Sequence, residues 1–146
     1  MHKKKKTFME IKRNEATQLR PEGDRVLDAP YVFMDLEEFT RQIKDEKAWE
    51  ESDRNGITVF KTDNLTIVLT CLHKDAAIDE NSVDGLFQVQ VLDGKISVST
   101  PDGDADMKQG EMMIFHPNVQ HSIKALKKST LLLQTINEKN SKHEFA

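Results

Sequence analysis

The chain has 146 residues, of which 37% are hydrophobic and 32% charged, and its 21 basic and 25 acidic side chains give a formal net charge of −4. This length predicts one domain with a hydrophobic core of its own. The excess of acidic over basic residues argues against a general nucleic-acid-binding protein. The sequence contains no run of 18 apolar residues, so it predicts no membrane-spanning helix. We therefore expect neither nucleic acid nor a membrane as a partner.

Residues 1–30 are polar and contain prolines and a glycine, which predicts an extended N-terminal segment that can contact a partner subunit. The first residues, MHKKKK, are basic but lack the apolar stretch that a secretory signal needs. The single cysteine, Cys71, lies in an apolar run and is expected to be a small buried hydrophobic residue. Both features predict a cytoplasmic protein.

Residues 31–56 are predicted to contain one helix that packs on the rest of the domain. The helix is expected over 35–50, with Asp35 as N-cap and two glutamates in the first turn, where the helix dipole favours negative charge. Apolar residues recur on it at helical spacing and predict a packing face. The sequence Asn55-Gly56 is interpreted as the turn that ends this region.

Residues 57–136 change to short β-strands separated by turns, which predicts a sandwich or barrel. Asp93-Gly94 between two alternating segments predicts a hairpin. The strands are expected at 57–61, 65–73, 86–92, 95–100, 112–115, 121–125 and 130–136. Residues 137–146 are predicted to be a polar C-terminal tail.

The alternation of residues along these strands assigns side chains to faces. His121 shares a face with the apolar Ile123 and Ala125, so it is expected to point inward. His73 is in phase with the apolar residues of the preceding strand, so it too could point inward. A lone inward histidine can be a ligand or a core residue, and the spacing alone leaves both readings open.

Two segments of the barrel region resemble the motifs of the cupin family. QVLDGKISV (90–98) is similar to the end of the first cupin motif, and GEMMIFHPNVQH (110–121) is similar to the second. The resemblance implies a mainly β fold, a cupin-like double-stranded β-helix or jelly-roll barrel, here preceded by one α-helix. It also implies a homodimer and a site inside the mouth of the barrel.

The motif positions that hold metal ligands in cupins are mostly filled by other residues in this chain. In the second motif, His121 occupies the histidine position and Asn118 stands where a glycine is usual. In the first motif, Phe87 occupies the glutamate position. The two histidine positions fall on Val83 and Asn81 with one spacing, or on Ser82 and Glu80 with the other.

No metal or other cofactor is therefore expected, because a transition metal needs three or four protein donors. The alternative is a divalent transition metal held by an atypical set of ligands, which would comprise His121, His73 and Glu80.

We expect a small cupin-like protein that binds an unidentified small molecule in the barrel, or serves another non-catalytic role, and is not an enzyme. The candidate pocket residues are His121, Phe87, Asn81, Met113 and His73. A metal-dependent enzyme of the dioxygenase or isomerase type remains the alternative. In a further reading the barrel is filled by its own side chains, and His121 belongs to the core.

Overall fold

The computed structural model describes residues 11–18, 20–81 and 83–137, and the side chains of Glu80 and Asn81 are not described. The lysine-rich start (1–10) and the predicted tail from 138 to 146 lie outside the described residues. No helix in the described part of the chain is long and apolar enough to cross a membrane.

The described residues form eleven strands and two helices in chain order. The elements are β1 (Lys12–Asn14), β2 (Arg25–Asp28), α1 (Leu36–Asp45), α2 (Lys47–Glu51), β3 (Arg54–Lys61), β4 (Leu65–Leu72), β5 (Ala77–Asn81), β6 (Leu86–Asp93), β7 (Lys95–Thr100), β8 (Gly103–Lys108), β9 (Met112–Phe115), β10 (His121–Ala125) and β11 (Ser129–Ile136).

The strands form two antiparallel sheets that enclose the main core. The larger sheet has the order β3-β4-β11-β6-β9 and the smaller has the order β5-β10-β7-β8, while β1 and β2 form a separate hairpin. The prediction of a mainly β barrel built from antiparallel strands is confirmed. Every strand predicted between 57 and 136 is present, with bounds that differ by three residues at most.

The inward-facing residues of both sheets form one apolar core between them. The larger sheet contributes Phe87, Val89 and Val91 of β6, together with neighbours on β4, β9 and β11. The smaller sheet contributes the inward residues Ile96, Val98, Met107, Ile123 and Ala125. Strand alternation places these residues on one face, so burial of this face fixes the register of each strand.

A second apolar core lies on the outer face of the larger sheet, beneath the helices. Ile43 of α1 and Trp49 of α2 are buried there against Ile57, Leu69 and Cys71. Asp35 caps α1 as predicted, because its side chain accepts a hydrogen bond from the Glu38 N–H. This sheet is therefore buried on both faces where the helices cover it.

The predicted single helix is divided into α1 and α2 at Glu46, which has an extended backbone. Its carboxylate accepts hydrogen bonds from Arg20 at 2.8 and 2.9 Å and from the Asn55 amide at 2.9 Å. These bonds hold the Glu46 side chain against β3 and the N-terminal segment. The prediction of a turn at Asn55-Gly56 was wrong, because both residues lie within β3.

Four strands were not predicted from the sequence, and their side chains explain why. The segment GDADMK of β8 is mostly polar, since only Met107 is buried, so it lacks the apolar alternation that predicts a strand. Strand β5 is short and lies at the edge of the smaller sheet. Strands β1 and β2 lie within residues 1–30, which were predicted only to be extended.

The N-terminal segment contacts the edge of its own larger sheet. Arg20 donates to the Gly56 carbonyl at 2.8 Å, and Arg25 donates to the Thr58 carbonyl at 2.6 Å. Burial and the positive charge of Arg20 lower the pKa of Arg25. Both acceptors belong to the edge strand β3, so these arginines occupy backbone groups that another strand would otherwise pair with.

The hairpin at Gly94 gives a first prediction about stability. Gly94 has φ +93°, and a Cβ at this position would lie 2.4 Å from the Lys128 carbonyl oxygen. Gly94→Ala is expected to lower the free energy of unfolding by at least about 2 kcal/mol. Gly103→Ala is the control, because Gly103 also has a positive φ but no atom within 4 Å of its Cβ position, and should lose only about 1 kcal/mol. Equal losses in chemical denaturation would contradict the steric argument.

The Glu46 carboxylate gives a second prediction, on the pH dependence of stability. Burial raises the pKa of Glu46, but hydrogen bonds from Arg20, Asn55 and Gln42 together outweigh it and lower the pKa overall. The ionised group therefore stabilises the fold above the ordinary carboxyl pKa of about 4.3, and this contribution is lost as the pH falls through the lowered value. Glu46→Gln should be less stable at pH 7 by about 1–2 kcal/mol. The difference should shrink below about pH 4, and urea unfolding at both pH values measures it.

Candidate functional site

The loop before β10 positions His121 at the start of that strand. Asn118 has φ +66°, the left-handed conformation expected for the residue in the usual glycine position, and its N–H donates to the Val83 carbonyl at 2.8 Å. His121 is 3% exposed and pairs across the sheet with Asn81 of β5. The prediction that His121 points inward is confirmed.

The His121 ring lies between the rings of two phenylalanines. Its centroid is 4.8 Å from that of Phe87 and 4.3 Å from that of Phe115, with interplanar angles of 14° and 21°. Phe87 and Phe115 are paired residues on β6 and β9 and are both buried. We call these three residues the His121 site.

Phe115 was not among the predicted pocket residues, although the sequence contains a signal for it. It lies two residues after Met113 on β9, so alternation places both on the same face. Its proximity to His121 depends on the pairing of β9 with β6, and this pairing could not be predicted from the sequence.

Hydrogen bonding indicates the tautomer of the neutral His121 ring. Its Nδ1 lies 3.1 Å from the Val119 carbonyl oxygen. A carbonyl can only accept, so Nδ1 donates, and Nε2 carries a lone pair when the ring is neutral. Nε2 is buried and has no hydrogen-bond partner among the described residues. A buried acceptor without a donor lowers the stability of the fold by about 1–3 kcal/mol. The burial of Nε2 is therefore unfavourable, and its lone pair is available to accept a hydrogen bond.

A cleft of about 260 Å³ lies beside the site at the end of the smaller sheet. It is lined by Ser99, Thr100, Pro101, Gln120, His121 and Ser122. None of the side chains that line it carries a formal charge when the histidine is neutral. The cleft therefore offers hydroxyl and amide groups for hydrogen bonding and no charge for an ion pair.

The structure places His73 away from the other candidate residues. Its ring stacks on Trp49 with centroids 3.5 Å apart, and its Nε2 lies 2.8 Å from the Trp49 carbonyl oxygen. The expectation that His73 could point into the barrel was wrong. His73 is in phase with Leu69 and Cys71 of β4, and these residues face the helices rather than the barrel.

The other candidate residues lie at or near the barrel interior where they are described. Met113 is partly buried and packs against the main core. The backbone of Asn81 lies opposite His121, and Glu80 precedes it on β5, but their side chains are outside the described set. His116 is exposed at the turn.

The residues of the site do not fit the metal that cupins commonly hold. Among the described residues, no three His, Cys, Asp or Glu side chains are grouped so that they could bind one ion. Phe87, in the motif position of the glutamate ligand, stacks on the only histidine of the site. An aromatic hydrocarbon ring offers no lone pair, so this position cannot coordinate a cation.

Comparison with solved structures reveals cupin folds. The structure is similar to a conserved protein of unknown function from Streptococcus pyogenes (18% identity, TM-score 0.59, covering 76% of this chain and 91% of that chain). It is also similar to a cupin superfamily protein from Desulfitobacterium hafniense (15% identity, TM-score 0.56, covering 57% of this chain and 77% of that chain). A third similar structure is the polyketide cyclase RemF from Streptomyces resistomycificus (11% identity, TM-score 0.53, covering 58% of this chain and 66% of that chain). No family model matches the sequence, and no curated protein matches it.

The chain therefore has the cupin fold, and the resemblance seen in its two motifs is confirmed at the level of the fold. Identities this low establish the fold and not a shared activity.

The stacked arrangement predicts how His121 contributes to stability. His121→Ala should lower the free energy of unfolding by about 2–4 kcal/mol, because it leaves a cavity between two aromatic rings. His121→Phe keeps a ring between Phe87 and Phe115 and removes the unsatisfied Nε2, so it should lose clearly less than the alanine variant. Denaturant titration compares the two, and a phenylalanine variant as unstable as the alanine variant would refute the role of the stack.

Proposed function

We propose that this protein is a metal-free cupin that binds a small neutral molecule at the mouth of its barrel and catalyses no reaction of its own. The observation that carries this proposal is the buried Nε2 atom of His121, which lacks a partner among the described residues. A hydroxyl or amide N–H of a ligand would satisfy this acceptor and recover the free energy that its burial costs.

The chemistry of the cleft supports a neutral ligand with hydrogen-bonding groups. Its hydroxyl and amide side chains can each donate and accept, and the absence of a charged side chain gives no advantage to an ionic ligand. The rings of Phe87 and Phe115 stack on the His121 ring and are not among the residues that line the cleft. A ligand with one or two hydrogen-bond donors would match the polar lining of the cleft.

The packing of the core supports a ligand at the mouth rather than deep in the barrel. The barrel interior is filled by its own apolar side chains, including Val89, Val98 and Ile123. Nε2 itself is closed off from solvent, so binding in this proposal includes a side-chain rearrangement that opens it toward the cleft.

The remaining reactive groups support a non-catalytic role. A general base needs a partner that orients it, and His121 has only the Val119 carbonyl among the described residues. Burial raises the pKa of the Cys71 thiol, which disfavours the reactive thiolate. A single buried, unpaired cysteine also fits the reducing cytoplasm, where we propose that the protein acts.

The alternative is an enzyme of the cupin type that uses an atypical metal set. The cupin fold does accommodate enzymes, since RemF is a polyketide cyclase. Of the three residues first considered for such a set, His73 contacts Trp49 in the helix layer and would have to leave it. The donor set therefore supports the metal-free proposal over this alternative.

The test compares each probe with a methylated control that lacks its hydrogen-bond donors. The probes are 1,2-cyclohexanediol and benzamide, and their controls are 1,2-dimethoxycyclohexane and N,N-dimethylbenzamide. The probes should shift the imidazole ¹⁵N resonance of His121 Nε2 in NMR titrations, and the controls should bind at least about tenfold more weakly because they cannot donate. The folded His121→Phe variant should bind none of them.

A parallel measurement addresses the alternative. The protein is incubated with iron, manganese, nickel or zinc, and bound metal is measured by mass spectrometry on wild type and His121→Phe. Near-stoichiometric metal that is lost in the variant would contradict the metal-free proposal and favour the enzyme. Equal binding of the probes and their donor-free controls would contradict the proposed role of Nε2.

A further inference from the structure

A second cavity, of about 340 Å³, lies between the β1–β2 hairpin and the start of helix α1. The hairpin contributes Arg25 and Val26, the helix contributes Phe39, and β3 contributes Val59. The segment that connects β2 to α1 forms the rest of the lining. No residue of this cavity lines the cleft beside His121, so the two sites are separate. We call it the hairpin cavity.

The lining of the hairpin cavity is mostly apolar. Val59 is buried, and Met34 and Phe39 are half-buried and pack against the core beneath the helices. At the rim, Tyr31 and Phe33 are 90% and 89% exposed. One exposed apolar residue is ordinary, but two aromatic rings this exposed beside an apolar cavity indicate a surface that a ligand covers.

Arg25 is the exception among the arginines of the described chain, because it forms no ion pair with a described residue. The other four are each paired with a carboxylate, in the pairs Arg13–Asp24, Arg20–Glu46, Arg41–Glu38 and Arg54–Asp53. Nε of Arg25 donates to the Thr58 carbonyl and Nη1 donates to the Gly23 carbonyl, both at 2.6 Å. Nη2 has no acceptor among the described residues, so its N–H groups are available to a ligand.

The charges around Arg25 leave one positive charge at the cavity. The charged residues that line it in the described chain are Arg13 and Arg25, and Arg13 is paired with Asp24. Burial and then the positive charge of Arg20 lower the pKa of Arg25, while the negative charge of Glu46 opposes them. The net direction shows that the surroundings disfavour the charged guanidinium, which an anion in the cavity would stabilise.

We infer that the hairpin cavity binds a small monocarboxylic acid whose body is an aromatic ring or a short alkyl chain. The carboxylate would accept hydrogen bonds from Arg25, and the body would lie between the exposed rings of Tyr31 and Phe33 and the apolar lining. The volume is within the range of small-molecule pockets, which favours a free acid over a protein segment.

The charge balance selects a carboxylate over a phosphate. One uncompensated guanidinium matches the single negative charge of a carboxylate. A phosphate monoester with two negative charges would leave one of them unpaired against apolar side chains, which is unfavourable. The site is thus complementary to an acid and the cleft beside His121 to a neutral ligand, so occupation of one does not require the other.

The test titrates the protein with 3-phenylpropanoate up to about 10 mM, a range that covers millimolar dissociation constants. Tyr31 is the only tyrosine of the chain, so its ring ¹H–¹³C signals report on this cavity alone. The acid should shift these signals along a saturable curve. The amide 3-phenylpropanamide lacks the charge and acetate lacks the apolar body, and each should bind at least about tenfold more weakly.

Two variants test the two parts of the site. Arg25→Gln removes the charge and should weaken binding of the acid at least about tenfold. Phe33→Ala removes an exposed ring without disturbing the core and should weaken it about threefold. Arg41→Gln is the matched control, because it removes an arginine outside the cavity, and it should bind like wild type. His121→Phe should also bind like wild type, which separates this site from the proposed function.

Thermal unfolding checks that each variant is folded, and Phe33→Ala keeps the test decisive if Arg25→Gln does not fold. The inference would be overturned if the acid and its amide bound equally, or if the Tyr31 signals did not move. A folded Arg25→Gln variant, or failing that Phe33→Ala, that binds the acid like wild type would have the same consequence. The peptide acetyl-Gly-Gly-Phe carries the same ring and carboxylate, and tighter binding of it would overturn the assignment to a free acid.

Discussion

The burial of the larger sheet on both faces, where the helices cover it, is the constraint on which the rest of this structure depends. Its inward side chains form the barrel core with the smaller sheet, and its outward side chains form a second core with the helices. Strand β4 shows the consequence, since Leu72 belongs to the first core while Leu69 and Cys71 belong to the second. A shift of one residue in this strand would exchange the two sets and disrupt both cores.

The same constraint produces the His121 site. Phe87 and Phe115 face the barrel interior because their strands pair in register, and His121 reaches them from the smaller sheet. An imidazole in this position is well packed but poorly hydrogen-bonded, because one nitrogen has a backbone acceptor and the other has no partner among the described residues. Good packing and an unsatisfied acceptor together distinguish a possible binding group from an ordinary core residue.

Strands β6 and β9 show how one pair of strands contributes to both faces of the larger sheet. Phe87 and Phe115 point toward His121, and the adjacent residues Gln88 and Ile114 point away from the barrel. The helices cover the other half of the outer face, and the arginines of the N-terminal segment cover the β3 edge. The cleft beside His121 lies at the end of the smaller sheet, away from the residues that the helices cover.

The sequence by itself determined the elements whose signals are local. Alternation placed seven of the strands between 57 and 136 and assigned His121 to an inward face, Asp93-Gly94 marked the hairpin between β6 and β7, and Asp35 marked the start of α1. Tertiary structure decided what local signals cannot express. The direction of His73, which directly follows β4, was ambiguous because that strand is apolar on both faces. Asn55-Gly56 lies in a strand because Asn55 binds Glu46 and the backbone of α1. The neighbours of His121 depend on strand pairing between distant segments, and such pairing is a property of the assembled sheet rather than of any one segment.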